Sequence, residues 1–185
     1  MIIENFITPN KFSRPQSPII PWYIVLHWTN SPRTSAHNIR NYFDSLKSQV
    51  DNEKAVYASA HVAVDDKDIV YIIPPTEMAY NCGSLTYSGT KEELFGTAYP
   101  NAYTVSIELC HRDKSGVFSE TTLLHAKLVC VNWCNCFNLV PKKHIIRHYD
   151  VTGKLCPKYM VDNPDALNNF KNDVERMIIT GRRSV

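Results

Sequence analysis

The chain lacks the features that mark several classes of protein. No stretch approaches the ~18 consecutive apolar residues of a membrane-spanning helix. Its 20 Lys and Arg residues are nearly balanced by 18 Asp and Glu, for a net charge of +2. That basic excess is too weak to indicate nucleic-acid binding. We therefore expect neither membrane insertion nor a nucleic-acid partner, and we expect a monomer.

A secretory signal is also missing. The opening stretch, MIIENFITPNKFSRPQ, has no basic segment followed by an apolar run and a small-residue cleavage site. We expect the chain to be made in the cytoplasm. In that compartment its six cysteines are expected to be reduced thiols or metal ligands rather than a disulfide framework.

What is present is an ordinary globular composition, 44% hydrophobic and 21% charged over 185 residues. This is enough to bury one core, and we predict a single domain over residues 1–185. Apolar runs typical of strands are mixed with segments in which apolar residues recur every three or four positions. That mixture predicts an α/β fold, with a central β-sheet flanked by helices.

The predicted elements follow one another along the whole chain. They are an extended surface arm (1–21), a buried strand (22–27), a helix capped by Ser35, two hairpin strands (59–64 and 68–74), an irregular segment with a short turn (75–101), a strand (103–110), a long helix after Ser119, a short strand (144–148) and a last helix after Asn163. The apolar residues expected on the helix faces are Ile39, Tyr42, Phe43, Leu46 and Val50, then Leu124, Leu128, Val131 and Phe137, then Leu167, Phe170, Val174, Met177 and Ile178.

The stretch IIRHYDVTGKLCP, residues 145–157, brings a histidine, a lysine and a cysteine into one short segment. His148 ends a short apolar strand and Cys156 follows in the loop, while His27 closes the first predicted strand. Imidazole and thiolate suit zinc, and three protein ligands leave the fourth position that a catalytic zinc needs. His27, His148 and Cys156 are therefore a candidate ligand set. A solvated loop, half of a disulfide and ordinary histidines remain alternatives.

Two further residues fit chemistry beside such a site. Glu108 lies in the middle of the apolar strand TVSIELC, on the same face as Ser106 and Cys110. It is either a solvent-facing carboxylate or a general base and acid. Lys154, two residues before Cys156, is either solvated or a cation that stabilises a developing oxyanion.

Five segments together carry a family resemblance: YIVLHWT, SAHVAVDDKDIVYIIP, AYNCG, NAYTVSIELC and IIRHYDVTGKLCP. In order and approximate spacing, they resemble the zinc-dependent N-acetylmuramoyl-L-alanine amidases of the amidase type 2 family, which includes phage endolysins and bacterial autolysins. The chain is also similar to peptidoglycan recognition proteins. The resemblance covers about residues 10–175. It implies a mixed central sheet flanked by helices, with one zinc ion in a surface cleft.

The resemblance also implies roles for individual residues. His27, His148 and Cys156 match the three zinc ligands, Glu108 the acidic catalytic residue and Lys154 the basic one. Asn81 and Thr152 are candidate substrate contacts, although some relatives have a histidine where this chain has Asn81. Other relatives place a tyrosine at the position of Ala60, so that Glu108 must carry its role here. His61 matches a recurrent histidine that is not a ligand, and we interpret it as structural.

The implied reaction is hydrolysis of the amide that joins N-acetylmuramic acid to L-alanine in peptidoglycan. The enzyme would reach the wall after release at lysis or by another route of export. The sequence leaves phage endolysin, cellular autolysin and recycling amidase open. Two other classes are alternatives: a non-catalytic peptidoglycan-binding module, and a cysteine hydrolase using Cys82 or Cys156.

The remaining thiols and histidines admit simpler interpretations. Cys130 and Cys134 share a helix face, and we favour packing in the core over a second metal site with His125. Cys82 and Cys110 are expected to pack as small hydrophobes, although Cys82 lies near the predicted cleft and is alternatively exposed and oxidisable. His37, His111 and His144 suggest no function from the sequence.

Overall fold

The computed structural model describes residues 1–183. Six strands form one sheet: β1 (Ile2–Glu4), β2 (Tyr23–Trp28), β3 (Val62–Val64), β4 (Ile69–Tyr71), β5 (Thr104–Leu109) and β6 (Ile145–Arg147). Seven helices accompany them: α1 (Ala36–Ser45), α2 (Gly89–Phe95), α3 (Glu120–Cys136), α4 (Pro141–His144), α5 (His148–Thr152), α6 (Lys158–Asp162) and α7 (Pro164–Arg183).

The strand order is β1-β4-β3-β5-β2-β6. Only β3 and β4 pair antiparallel, as expected for the hairpin around Asp65–Asp68, and every other neighbouring pair is parallel. The predicted mixed sheet flanked by helices is therefore confirmed. Because β5, β2 and β6 are parallel neighbours, their carboxyl ends meet at one edge of the sheet.

The main core lies between one face of the sheet and helices α3 and α7. Ile24, Leu26, Val105, Ile107 and Leu109 point to this side, because alternate residues of a strand share a face. They pack against residues contributed by the two helices, namely Ala126, Val129, Cys130, Trp133, Leu167, Phe170 and Val174. Helix α3 begins after Ser119 as predicted, and Ser119 caps it by accepting from the backbone N–H of Thr122.

The opposite face is covered in two separate pieces. Helix α1, capped by Ser35 as predicted, buries Ala36, Ile39 and Phe43 over β3 and β4. A smaller cluster containing Val25 and Ile146 packs under the segment that includes α2. The carboxyl ends of β2, β5 and β6 lie at the same sheet edge, next to α1 and the segment that includes α2.

Several sequence-based expectations are wrong in detail. The arm is not confined to the surface: Ile2–Glu4 forms an edge strand parallel to β4, and Ile7 and Phe12 are buried. Periodicity alone could not show this, since partners of that strand lie some 67 residues away, at Ile69–Tyr71. The irregular segment 75–101 contains a true helix, Gly89–Phe95.

The predicted buried helix faces are also partly wrong. Tyr42 and Val50 are exposed on and after α1, and Leu124 and Leu128 are exposed on α3. Helix α3 instead buries Thr122, Ala126, Val129, Cys130, Trp133 and Cys134. A helix that is apolar on several sides has no unique inward face, so packing against α7 decides which residues are covered. For α7, Leu167, Phe170 and Val174 are buried as expected. No helix within residues 1–183 is long and apolar enough to span a bilayer.

Candidate metal centre

Three neighbouring strands bring the candidate residues to one level of the sheet edge. His27 on β2 is in register with Glu108 on β5, and Leu26 is in register with Arg147 on β6. His148, the next residue after Arg147, therefore follows β6 at the level of His27. In-register residues of parallel neighbours point to the same face, at a strand spacing of about 4.8 Å. The sheet thus aligns His148, His27 and Glu108 in a row.

The third donor arrives through a short helix and a turn. The segment 145–157 is not the simple loop expected, since α5 occupies His148–Thr152 and ends at Gly153 with φ +76°. Asp150 closes the first turn by accepting from the backbone N–H of Arg147 at 2.8 Å. The backbone N–H of Tyr149 then donates to the carbonyl of Cys156 at 2.9 Å, which folds Cys156 back toward β2.

The three donor side chains converge. The imidazole rings of His27 and His148 have centroids 4.5 Å apart, and Cys156 Sγ lies 3.8 Å from His27 Nδ1. One ligand atom from each of the three residues lies within 4.8 Å of the others. The structure therefore brings together the donors that the sequence separates by about 130 positions.

Electrostatics keep both imidazoles in the form that a metal requires. Burial and the charge of Lys154 lower the pKa of His148 to about 4. Burial and the neighbouring His148 lower the pKa of His27 well below its ordinary value. Both rings are therefore neutral near pH 7 and carry a lone pair. Burial also raises the pKa of Cys156, while the backbone N–H of Trp28, 3.5 Å from its sulfur, opposes that rise.

The hydrogen bonding of the donors is incomplete in a way that fits a metal. Nε2 of His27 and Nε2 of His148 are both buried and have no partner within residues 1–183. Buried polar atoms without a partner cost about 1–3 kcal/mol each, so their presence at one point calls for an explanation. Two neutral imidazoles and a thiol at this separation are a suitable set for zinc.

Glu108 lies beside this group rather than in solvent. Its Oε2 atom is buried and has no hydrogen-bond partner among the described residues. Burial raises its pKa to about 8, so the metal-free carboxyl is mostly protonated at pH 7. A cation held nearby would favour the ionised form. A carboxyl with a pKa near the working pH is suited to both accepting and donating a proton.

Lys154 is exposed at the mouth of the site. Its charge affects the pKa of all three donor residues, lowering those of His27, His148 and Cys156. It also lines two cavities that share no other lining residue within residues 1–183. The lysine therefore stands where a ligand spanning both cavities would pass the donor group.

The two predicted substrate contacts have their polar groups engaged inside the protein. Asn81 is buried, and its Nδ2 donates to the Ala79 carbonyl and to Thr104 Oγ1. Its side chain also raises the pKa of His27 against the effect of burial. The Thr152 hydroxyl donates to the carbonyl of His148 at 3.1 Å. In the structure Asn81 therefore interacts with His27, and Thr152 interacts with His148.

His61 has the structural setting that the sequence analysis assigned to it. It is fully buried, its Nδ1 accepts from the backbone N–H of Ser106 at 3.0 Å, and its Nε2 donates to the Glu77 carbonyl at 2.8 Å. Both ring nitrogens are used, which leaves none for a metal.

The other cysteines are free thiols with no role in the donor group. Cys130 and Cys134 are buried, and His125 Nδ1 instead bonds the Asp65 carbonyl, so the packed interpretation of these thiols holds. Cys82 is fully buried rather than exposed to oxidation. Burial raises the pKa of Cys82 well above its ordinary value, and a protonated, buried thiol is a poor nucleophile.

Two residues near the site carried no signal in the sequence. Trp28 donates to Cys156, and His111 stacks on Trp28 with ring centroids 4.8 Å apart. His111 lines the cavity that also contains His148 and Cys156. Only its position directly after the strand bearing Glu108 could have drawn attention to it.

These features define an α/β scaffold with a candidate metal centre at the carboxyl ends of neighbouring parallel strands. The chain belongs to the N-acetylmuramoyl-L-alanine amidase family, whose sequence profile matches residues 15–159. The expected family resemblance is therefore confirmed.

Known relatives agree with this assignment. N-acetylmuramoyl-L-alanine amidase BlyA of Bacillus subtilis (strain 168) is 34% identical over 178 residues, covering 93% of this chain and 46% of BlyA. PlyL superposes with a TM-score of 0.72 at 25% identity, covering 94% of this chain and 96% of PlyL. The PlyG catalytic domain gives a TM-score of 0.73 at 24% identity, with 97% and 96% covered. The chain spans about half the length of the curated relatives it matches.

Proposed function

We propose that this chain hydrolyses the amide bond between N-acetylmuramic acid and L-alanine in peptidoglycan, as the catalytic part of an endolysin or autolysin that lyses the cell wall. The single observation that carries the proposal is the convergence of His27, His148 and Cys156 within 4.8 Å beside a buried carboxyl. Family membership supplies the reaction class.

One zinc ion per chain is the cofactor that this donor set favours, held by His27, His148 and Cys156. When bound, zinc supplies Lewis acidity that polarises the scissile carbonyl and activates water. The imidazoles of the metal-free chain are neutral and can bind zinc without losing a proton. The Cys156 thiol, by contrast, must lose its proton to become a ligand. Metal uptake should therefore release a proton.

Glu108 and Lys154 act on the reacting atoms. Glu108, in the ionised form that a nearby cation would favour, accepts a proton from the attacking water and delivers it to the nitrogen of the leaving L-alanine. Lys154, exposed at the mouth of the site, donates to the oxyanion that develops on the carbonyl oxygen. Losing one such donor typically lowers the rate by about 10²–10³.

The remaining assignments concern Asn81 and Thr152, the number of domains and the place where the enzyme acts. Asn81 and Thr152 remain predictions as substrate contacts. The Asn81 side chain acts on the His27 ring and the Thr152 hydroxyl donates to the His148 carbonyl, which favours a role in positioning these two histidines. We infer one catalytic domain that acts as a monomer. It works at the cell wall, where its substrate is found.

The test is a product assay on purified peptidoglycan. We expect new L-alanine amino termini without new reducing sugar ends, because an amidase leaves the glycan intact. Removing the metal with a chelator should abolish this release, and added zinc should restore it. Reducing ends instead of amino termini would contradict the amidase assignment.

The same assay separates the alternative classes. A non-catalytic binding module would bind the wall and release nothing. A cysteine hydrolase would survive chelation, but its buried, protonated Cys82 and Cys156 disfavour that mechanism.

A further inference from the structure

A cavity of about 690 Å³ opens directly beside the candidate metal centre. His148 and Cys156 form part of its wall, with Trp28 and His111, and three lysines complete its charged lining: Lys114, Lys154 and Lys158. No Asp or Glu among the described residues lines it. We call it the lysine cavity.

The positive charge of the lysine cavity is a local feature, since the chain as a whole is nearly neutral. Lys158 is already paired with Asp162 on α6. Lys114 and Lys154 have no acidic partner among residues 1–183. Two unpaired ammonium groups facing one cavity favour an anionic ligand.

The loop that carries Lys114 is fixed against the cavity wall. Asp113 Oδ1 accepts from the backbone N–H of Ser115 at 2.8 Å, which closes a tight turn around Lys114. Gly116, at φ +74°, lies so close to Trp28 that an added Cβ would come within 2.8 Å of the indole ring. The loop therefore depends on Gly116 and rests on the Trp28 ring.

A second feature of the lysine cavity points to a peptide. His111 Nδ1 donates to the Asp113 carbonyl at 2.7 Å, so Nε2 carries a lone pair. That Nε2 is buried and has no partner within residues 1–183. An acceptor of this kind suits an amide N–H, and a peptide offers both such donors and free carboxylates.

We propose that the lysine cavity binds the peptide side of the scissile amide and that Lys114 selects for a free carboxylate on that peptide. This rests on the proposed amidase function. The carboxyl of muramic acid is consumed in the scissile amide, so the free carboxylates lie beyond L-alanine. The cavity on the other side of Lys154 is lined instead by Tyr57, Tyr80 and Tyr99, with Lys154 as its only charged residue within the described chain.

The experiment uses two soluble substrates that differ at one group: N-acetylmuramoyl-L-alanyl-D-glutamate and the same compound with its α-carboxylate as a carboxamide. Steady-state kcat/KM is measured for both with the zinc-loaded wild type and with Lys114→Met. Lys143→Met is the matched control, because it removes the same charge from an exposed lysine outside the lysine cavity.

We expect the wild type to prefer the free acid about two- to fivefold, the range of a solvent-exposed ion pair. Lys114→Met should bring this ratio close to one by raising KM for the acid, and Lys143→Met should keep it. A ratio that is unchanged in Lys114→Met, or equally reduced in Lys143→Met, would overturn the proposal.

Failure of the amidase proposal is distinguishable from failure of this one. If the wild type cleaves neither compound nor the whole wall, binding of L-alanyl-D-glutamate is followed instead through the Trp28 indole signal in NMR titrations. Tighter binding of the acid than of its carboxamide, lost in Lys114→Met, would still support the subsite. Equal binding of the two peptides would refute it. Charge selection seen only with intact walls, and not with these small compounds, would assign the lysines to an anionic wall polymer instead.

Discussion

Replacing Glu108 by Gln should have opposite effects on stability and on activity. In the metal-free chain burial raises the pKa of Glu108 to about 8, above its ordinary value of 4.5. Between these two pH values the folded chain holds a proton that the unfolded chain releases, so stability falls as pH rises. At about 1.4 kcal/mol per pH unit, this penalty grows by roughly 2 kcal/mol between pH 5 and pH 7.

Gln has nearly the same size and no titration in this range. We therefore expect chelator-treated Glu108→Gln to gain about 2 kcal/mol relative to the chelator-treated wild type between pH 5 and pH 7. Urea unfolding of both proteins at the two pH values measures the difference, and contributions from the histidines cancel because both proteins share them. With zinc bound the difference should shrink, since a nearby cation favours the carboxylate.

Turnover should change in the other direction. Removing the proton-transfer group should lower kcat on peptidoglycan by about two to four orders of magnitude, with zinc content and wall binding retained. Parallel pH dependence of stability in the two metal-free proteins would refute the buried position of the carboxyl. Near-normal turnover of Glu108→Gln would show that another group moves the proton.

Four more outcomes are expected. Purified protein should contain about one zinc per chain by metal analysis, and His27→Ala should remove most of it; active protein without zinc would contradict the donor set. All six cysteines should react in a thiol titration after chelation and denaturation, whereas mapped disulfides would argue against free thiols. The pKa of buried His61 is lowered to about 4, so the wild type should lose about 2 kcal/mol more stability than His61→Gln as pH falls from 7 to 5, because the unfolded chain then binds the extra proton. Ser35→Ala should lower the free energy of unfolding by about 1 kcal/mol through loss of the cap on α1, with exposed Ser48→Ala as the control.

Much of the fold follows from local rules that the sequence obeys. Strand β2 is a short, continuous apolar run of β-formers, and β5 alternates polar and apolar residues. Ser35 and Ser119 cap the helices that follow them. These features depend on neighbours within a few positions, so they can be recognised without knowing the rest of the molecule.

The helix faces show where such rules stop. On α7 one apolar stripe dominates, and Leu167, Phe170 and Val174 are buried as its spacing indicates. On α3 apolar residues occur on several sides, and Leu124 and Leu128 are exposed although their spacing is equally suitable. Which side is covered depends on the element that packs there.

The sequence by itself determined the chemistry available to this protein: two histidines and a cysteine of suitable donor type, a carboxyl on an apolar strand and a lysine two residues before the cysteine. These are properties of individual side chains and of their order. Only the tertiary structure decided that the donors meet within 4.8 Å, that one carboxyl oxygen of Glu108 is buried, and that His111 and Lys114 share a cavity with His148 and Cys156. Distance, burial and electrostatic environment arise from contacts between residues far apart in the chain, and strand register fixes those contacts only once the sheet has formed.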